Sequence, residues 1–200
     1  AVTFAAGLAL GGLVPVVAIY SSFLQRAVDQ ILHDVCMQKL HVILAVDRAG
    51  LVGADGETHQ GCFDLSYLTM IPNLTVMAPK NARELDKMME FAVGYEGPIA
   101  IRYPRGTAYE GLSQHKEPIR LGKSEILHRG KKLAILAVGN MVKICQSVYE
   151  TLCQRGYVPT FVNVRFVKPM DTSLFDERAK DHQVFVTVEE NVKNGGFGEH

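Results

Sequence analysis

Short apolar runs alternate with amphipathic segments over the first hundred residues. Four runs have the length and composition of buried strands: "VPVVAIY", "HVILAVD", "LTVMAP" and "PIAIRYP". Between the first two, an apolar side chain recurs every four residues, at Phe23, Ala27, Ile31 and Val35. This spacing predicts an amphipathic helix that buries these side chains. Strands that alternate with helices predict an α/β fold with a doubly wound, mostly parallel sheet.

Two further helices are indicated between the later runs. A short helix is predicted around "FDLSYLTMI". In "NARELDKMMEFAV", Asn81 and Glu84 stand three residues apart, which is typical of a capped helix start. We therefore expect Asn81 to cap the helix that follows it.

The first twenty residues carry no charge, and Arg26 is the first charged residue of the chain. Such a run is long enough to suggest a membrane span or a signal sequence. Gly7, Gly11, Gly12 and Pro15 divide it, however, and no basic segment precedes it. We expect a buried core helix followed by a short strand, and no membrane contact.

The periodicity is lost between Gly106 and Gly122, where glycine, proline and charge increase. Beyond this linker the pattern resumes with the strands "KKLAILAVG", "TFVNV" and "QVFVTVEE", the helix "MVKICQSVYETLCQRG" and a helical patch near Leu174. The sequence therefore predicts two domains, 1–122 and 123–200. The second is a smaller α/β unit that we expect to be cut short at its end.

Charge and cysteine content exclude several classes of protein. The 21 Lys and Arg balance the 21 Asp and Glu, so no basic excess is available to neutralise a nucleic-acid backbone. The four cysteines form no CxxC pair and have no histidine at zinc-finger spacing. We expect reduced thiols in a cytoplasmic protein, with no metal site in the chain.

The polar loop "DRAGLVGADGETHQGCFD", Asp47 to Asp64, follows directly on a predicted buried strand. In open α/β sheets ligands bind beyond the carboxyl ends of the strands, so this loop is a candidate site. Taken singly, its residues have simpler explanations: His59 as an ordinary loop histidine, Arg48 as a surface ion pair, the glycines as turn formers.

Three stretches together resemble one family: "IYSSFLQRAVDQ", the polar loop, and "IRYPRG". They are similar to the transketolase-like thiamin diphosphate enzymes, and among these to the members that form 1-deoxy-D-xylulose 5-phosphate. The similarity extends through "VEENVKNGGFGEH". It implies a pyrimidine-binding domain followed by a transketolase C-terminal domain, in a cytoplasmic homodimer.

The resemblance also implies a reaction and cofactors. Pyruvate would lose CO2 and condense with glyceraldehyde 3-phosphate, for the synthesis of isoprenoid precursors, thiamin and pyridoxal. Thiamin diphosphate and Mg2+ would be required, with the Mg2+ site in an N-terminal domain that this chain lacks. A glutamate that contacts the pyrimidine would also precede Ala1, so the resemblance implies that the chain is inactive alone.

Site residues follow from the resemblance, motif by motif. Phe23 would stack on the cofactor's pyrimidine ring, although its periodicity alone predicts a core position. His59 and Asp55 would be catalytic. The substrate pocket would be lined by Tyr20, Arg26, Arg48 and Arg105.

Three alternatives to this function stay open at the level of sequence. In these alternatives the parent protein would be another transketolase-like enzyme, the β subunit of a 2-oxo acid dehydrogenase, or a non-catalytic scaffold that only dimerises.

Overall fold

A computed structural model describes residues 1–200 as two β-sheets with helices packed around them. The strands are β1 Val16–Tyr20, β2 Ile43–Asp47, β3 Thr75–Met77, β4 Ile99–Arg102, β5 Glu125–His128, β6 Lys132–Ala137, β7 Thr160–Asn163, β8 Phe166–Lys168 and β9 His182–Val188. The α-helices are α1 Val2–Leu10, α2 Ser21–Leu24, α3 Val28–Gln30, α4 Asp64–Met70, α5 Ala82–Val93, α6 Met141–Gln154 and α7 Thr172–Arg178.

The first sheet has the strand order β1-β2-β4-β3-β8, and its first four strands are parallel. Tyr20 pairs with Asp47, and Val46 pairs with Arg102. The carboxyl ends of β1, β2 and β4 therefore lie side by side at one edge. Strand β4 is buried throughout, as expected for a parallel strand covered on both faces.

The second sheet has the order β5-β7-β6-β9, with β6 parallel to both neighbours and β5 antiparallel to β7. The predicted α/β fold with mostly parallel sheets is confirmed. Strands β5 and β8 are absent from the sequence-based prediction. Strand β8 pairs antiparallel with β3, so a segment from beyond residue 122 forms an edge of the first sheet.

The main core joins the two sheets. The largest cluster of buried apolar side chains has 25 members and includes Leu44 and Val76 from the first sheet. It also includes Val162 and Val164 from the second half of the chain. The domain boundary between residues 122 and 123 stays a prediction, since the core does not divide there.

The uncharged N-terminal run is only partly buried. Val2, Ala5 and Ala6 of α1 face the core, whereas Phe4 is 72% exposed and Leu10 is also exposed. The expectation of a buried core helix is therefore wrong for the outer face of α1. None of the helices combines the length and apolar character needed to cross a membrane.

The helix predicted after β1 is broken into short pieces. Helix α2 passes into a 3₁₀ turn at Gln25–Ala27, then α3, then a π-helical segment at Ile31–Cys36. Ile31 and Val35 are buried as predicted, but Phe23 is 39% exposed. The periodicity was therefore wrong for Phe23, whose ring lies at the surface near the polar loop.

The two other predicted helices of this region are confirmed. Helix α4 spans part of "FDLSYLTMI", and α5 begins directly after Asn81. Asn81 Oδ1 accepts a hydrogen bond from Glu84 N at 2.9 Å, which is the expected cap.

Candidate active site

The polar loop begins with a tight reversal at the end of β2. Arg48 has φ 58°, in the left-handed region, and its backbone N donates to Asp47 Oδ1 at 2.6 Å. Gly50 and Gly61 then pair through two backbone hydrogen bonds of 2.9 and 2.8 Å, which bring the two ends of the loop together. A Cβ atom at Gly61 would lie 2.2 Å from the Arg48 carbonyl oxygen, so this approach requires glycine.

Within the loop, two 3₁₀ turns hold the two side chains predicted to be catalytic. Asp55 ends the turn Gly53–Asp55, and His59 ends the turn Glu57–His59. The Gln60 side chain accepts from Val52 N and donates to the Gly56 carbonyl, both at 2.8 Å. These hydrogen bonds within the loop fix the positions of Asp55 and His59 relative to each other.

Asp55 binds two arginines from neighbouring strand ends. Its Oδ2 lies 2.7 Å from Arg48 Nε, and its Oδ1 lies 2.9 Å from Arg105 Nε. Arg48 Nη1 also contacts Asp47 Oδ2 at 2.8 Å. The Arg105 side chain is 43% exposed, whereas that of Asp55 is 18% exposed.

Three aromatic rings lie beside this cluster. Tyr20 and Phe23 stack with ring centroids 5.3 Å apart, and His59 meets the Phe23 ring edge-on at 5.2 Å. The Arg48 guanidinium carbon lies 3.7 Å from the Tyr20 ring centroid, a cation–π contact. The aromatic group and the arginine pair therefore form one continuous site.

The charges of the site balance. Burial alone would lower the pKa of Arg48, but its hydrogen bond to Asp55 and the charge of Asp47 raise the pKa above the ordinary arginine value. Arg48 therefore stays charged at any physiological pH. Two guanidinium groups face two carboxylates, and Asp55 pairs with both Arg48 and Arg105.

Six of the seven residues predicted for the site are connected by these contacts. The seventh, Arg26, is exposed and makes no hydrogen bond, ion pair or cation–π contact with the others. The prediction from sequence omitted Asp47, which orients Arg48. The sequence signal that could have identified Asp47 as a site residue is its position directly before Arg48, at the end of an apolar strand.

The side chains fit one end of the implied cofactor. The Phe23 ring is partly exposed next to His59, as a ring that stacks on a pyrimidine must be. No group of three or more His, Cys, Asp and Glu side chains in the chain has the arrangement to hold a metal ion. The exposed ring of Phe23 is therefore compatible with contact to the pyrimidine end of the cofactor.

A second charged cluster lies away from the loop, below a cavity of about 480 Å³ between α5 and the linker. Lys80 Nζ contacts Glu84 Oε1 at 2.9 Å and Glu125 Oε2 at 2.7 Å. Arg165 contacts the same two carboxylates at 2.7 and 2.9 Å. These four charges are buried and neutralise one another, so we assign them a structural role.

Two family models match the chain. Residues 1–110 match "Transketolase, pyrimidine binding domain" and residues 122–200 match "Transketolase, C-terminal domain". The chain belongs to the transketolase family of thiamin diphosphate enzymes.

Within this family, the chain is similar to 1-deoxy-D-xylulose-5-phosphate synthases. It is 57% identical over 199 residues to that synthase of Lachnoclostridium phytofermentans, covering 100% of this chain and 32% of the relative. It is 55% identical over 198 residues to the synthase of Dictyoglomus thermophilum, and the match covers 98% of this chain and 32% of that relative. The chain thus spans about a third of the length of the curated relatives it matches.

Solved structures agree with the fold. "Split gene transketolase, inactive beta4 tetramer" superposes with a TM-score of 0.89 at 30% identity, covering 98% of this chain and 63% of that one. The transketolase of Campylobacter jejuni gives a TM-score of 0.73 at 20% identity, and the match covers 91% of this chain and 29% of that one. The second likeness shows the fold alone.

Proposed function

We propose that this chain is part of an enzyme with 1-deoxy-D-xylulose-5-phosphate synthase activity, which condenses pyruvate with glyceraldehyde 3-phosphate and releases CO2. One observation carries the proposal. Asp55 holds Arg48 and Arg105, from adjacent strand ends, beside the aromatic group of Tyr20, Phe23 and His59. The names of the relatives support the same role for the parent protein.

In this proposal the two arginines bind the phosphate of glyceraldehyde 3-phosphate. A guanidinium group donates parallel hydrogen bonds and keeps its charge, which suits a dianionic phosphate. Asp55 sets the separation of Arg48 and Arg105 before the substrate arrives. The phosphate would replace the Asp55 carboxylate at Arg48 and Arg105, so binding would exchange the ion pairs with Asp55 for ion pairs with the substrate. A dianionic phosphate competes with the singly charged carboxylate better than a monoanion does.

His59 is proposed to transfer a proton at the substrate. Histidine is the side chain that enzymes most often use as a general acid or base. Thr58 Oγ1 lies 2.9 Å from Nδ1, which leaves Nε2 for the substrate. Phe23 would contact the pyrimidine end of thiamin diphosphate, and the cofactor, when bound, would supply the electron sink for decarboxylation.

The proposal extends to the setting of the enzyme. The products would serve the synthesis of isoprenoid precursors, thiamin and pyridoxal, in the cytoplasm. Four unpaired cysteines are consistent with a reducing compartment. Mg2+ would be held by a part of the protein outside these 200 residues, so we expect the chain alone to be inactive and to bind thiamin diphosphate weakly.

We also propose a homodimer, supported by an exposed apolar face at the start of the chain. Phe4, Leu10, Leu13 and Val16 are all exposed there. Sedimentation of the chain with and without Phe4→Asp and Leu13→Asp tests this. A monomer before substitution would contradict the proposed homodimer.

The test of function uses the full-length parent protein with thiamin diphosphate and Mg2+. Formation of 1-deoxy-D-xylulose 5-phosphate is measured, with ketose donors and a 2-oxo acid dehydrogenase assay for the alternatives. Hydrogen bonds to charged groups contribute about 1.5–3 kcal/mol, so Arg48→Ala or Arg105→Ala should raise KM for glyceraldehyde 3-phosphate about tenfold to a hundredfold.

A matched control is Arg129→Ala, which removes an exposed arginine of the second half of the chain. KM for pyruvate, which has no phosphate, should change little in all three variants. An unchanged KM for glyceraldehyde 3-phosphate in both site variants would show that the phosphate binds elsewhere. Absence of synthase activity in the full-length protein, with activity on ketose donors, would favour a transketolase.

A further inference from the structure

A buried ion pair lies beneath the candidate site. Arg102 Nε, at the end of β4, donates to Asp64 Oδ2 at 3.1 Å, and the side chains are 2% and 0% exposed. A buried pair of this kind is maintained only where further hydrogen bonds satisfy its remaining atoms. Asp64 Oδ1 accepts from Leu65 N at 2.8 Å, and Oδ2 also accepts from Ser21 Oγ at 3.2 Å.

The bond to Ser21 links this pair to the aromatic group. Ser21 is fully buried, follows Tyr20 directly and precedes Phe23 by two residues. Tyr67, one turn after Asp64 in α4, donates its hydroxyl to the Ser21 carbonyl oxygen at 2.9 Å. Two side chains of α4 therefore fix the backbone that carries both rings.

The other side of the pair contacts the second half of the chain. Arg102 Nη2 donates to the Glu190 carbonyl at 3.3 Å. Asn191 accepts from Leu65 N at 3.2 Å and donates to Ser66 Oγ at 2.9 Å, so it contacts the first turn of α4 directly. The segment after β9 thus holds both Arg102 and the first turn of α4.

We propose that Asp64, held by Arg102, is a positioning residue that sets the orientation of the Tyr20 and Phe23 rings, and that Asn191 supports it from the second half of the chain. Asp64 is buried and contacts no substrate, so it acts through Ser21. The consequence for catalysis rests on the proposed function, because it requires that Phe23 contact the cofactor. The effect of Asp64 on the orientation of the two rings does not depend on the proposed function.

A tryptophan reporter tests ring position directly. The sequence contains no Trp, so Phe23→Trp introduces a single tryptophan next to Tyr20, and its emission can be excited selectively over that of the tyrosines. In this background, Ser21→Ala removes only the hydroxyl that Asp64 binds. Loss of a hydrogen bond to a charged group should raise the population of locally displaced rings about tenfold, so acrylamide should quench the introduced tryptophan more strongly.

Two further variants make the result specific. Asn191→Ala, at a partly exposed position, should also increase quenching. Ser124→Ala is the matched control: it removes a hydroxyl that donates to the Val164 carbonyl at 3.1 Å, away from the site, and should leave quenching unchanged. Unchanged quenching in Ser21→Ala would overturn the proposal, as would an equal increase in all three variants, which would indicate general loosening.

A kinetic measurement on the full-length protein complements the fluorescence. Ser21→Ala should lower kcat more than it raises KM for glyceraldehyde 3-phosphate, because Asp55 still holds Arg48 and Arg105 when the rings are displaced. A negative synthase assay would reject the proposed function and leave the quenching result intact. Unchanged quenching with normal activity would reject only the positioning role.

Discussion

Replacing Glu84 by Gln in the buried four-charge cluster should destabilise this chain strongly. Glu84 accepts hydrogen bonds from Lys80 Nζ and Lys80 N at 2.9 and 2.7 Å, and from Arg165 Nε at 2.7 Å. Asn163 Nδ2 donates to both of its oxygens at 3.0 Å. Glutamine keeps the volume, removes the charge and places an amide donor among groups that are already donors.

The magnitude follows from what remains after the substitution. Removing one partner of a buried ion pair typically costs about 3–5 kcal/mol. Glu125 still accepts from Lys80 at 2.7 Å and from Arg165 at 2.9 Å, so both cations keep one partner. We therefore expect the lower end, about 3 kcal/mol, which is a substantial share of the roughly 5–15 kcal/mol that stabilises a typical domain.

The pH dependence has a defined sign. Burial alone would raise the pKa of Glu84, but the charges of Lys80 and Arg165 lower the pKa below the ordinary glutamate value. A lowered pKa in the folded state gives stability that is present above the unfolded-state pKa and lost as pH falls below it. The difference between Glu84→Gln and the unaltered chain should therefore shrink as the pH falls below about 4.

Urea unfolding followed by far-UV circular dichroism measures this difference. The matched control is Glu90→Gln on the same helix, where an exposed Glu90 contacts Lys87 Nζ at 2.7 Å. Exposed pairs contribute about 0–1 kcal/mol, so this variant should unfold almost as the unaltered chain does. A loss below about 1 kcal/mol in Glu84→Gln, with an unchanged m-value, would refute the reasoning from buried charge.

Three further outcomes are expected. In the full-length protein, His59→Ala should lower kcat about a hundredfold to ten-thousandfold with little change in melting temperature, and a normal kcat would show that His59 takes no part. Burial alone would raise the pKa of Asp171, but hydrogen bonds from Ser124 N and Lys123 lower the pKa below the ordinary aspartate value. Asp171 also caps α7, so Asp171→Ala should lower the free energy of unfolding by about 1–2 kcal/mol at pH 7. Urea unfolding at lower pH should show this loss of stability disappearing below about pH 4. Burial raises the pKa of the Cys36 thiol to about 12, so mass spectrometry should find iodoacetamide on the partly exposed Cys62 long before Cys36, and equal rates would contradict the burial of Cys36.

The elements of the first sheet could be predicted because their signal is local. Runs such as "HVILAVD" are apolar throughout since both faces of a parallel strand are covered, and a polar loop after such a run lies at the carboxyl edge. The cap at Asn81 was predictable for the same reason, because the donor lies three residues away.

The remaining features depend on contacts between distant residues. Asp55 joins Arg48 to Arg105, which lies fifty residues after Asp55, and no spacing in the sequence indicates that bridge. The exposure of Phe23 opposes its periodicity, because the helix changes from α to 3₁₀ and π geometry after Leu24. Helical periodicity assumes one regular rotation per residue, so it misplaces side chains where that rotation changes.

Because β8 pairs with β3, neither of the two segments matched by the family models forms a complete folding unit alone. The two family matches divide the chain near the linker, yet residues 166–168 complete the first sheet. A polypeptide ended at residue 122 would leave the backbone donors and acceptors of β3 open at an edge, where they can pair with another molecule. We expect such a piece to aggregate, and we expect the intact chain to melt in a single cooperative transition.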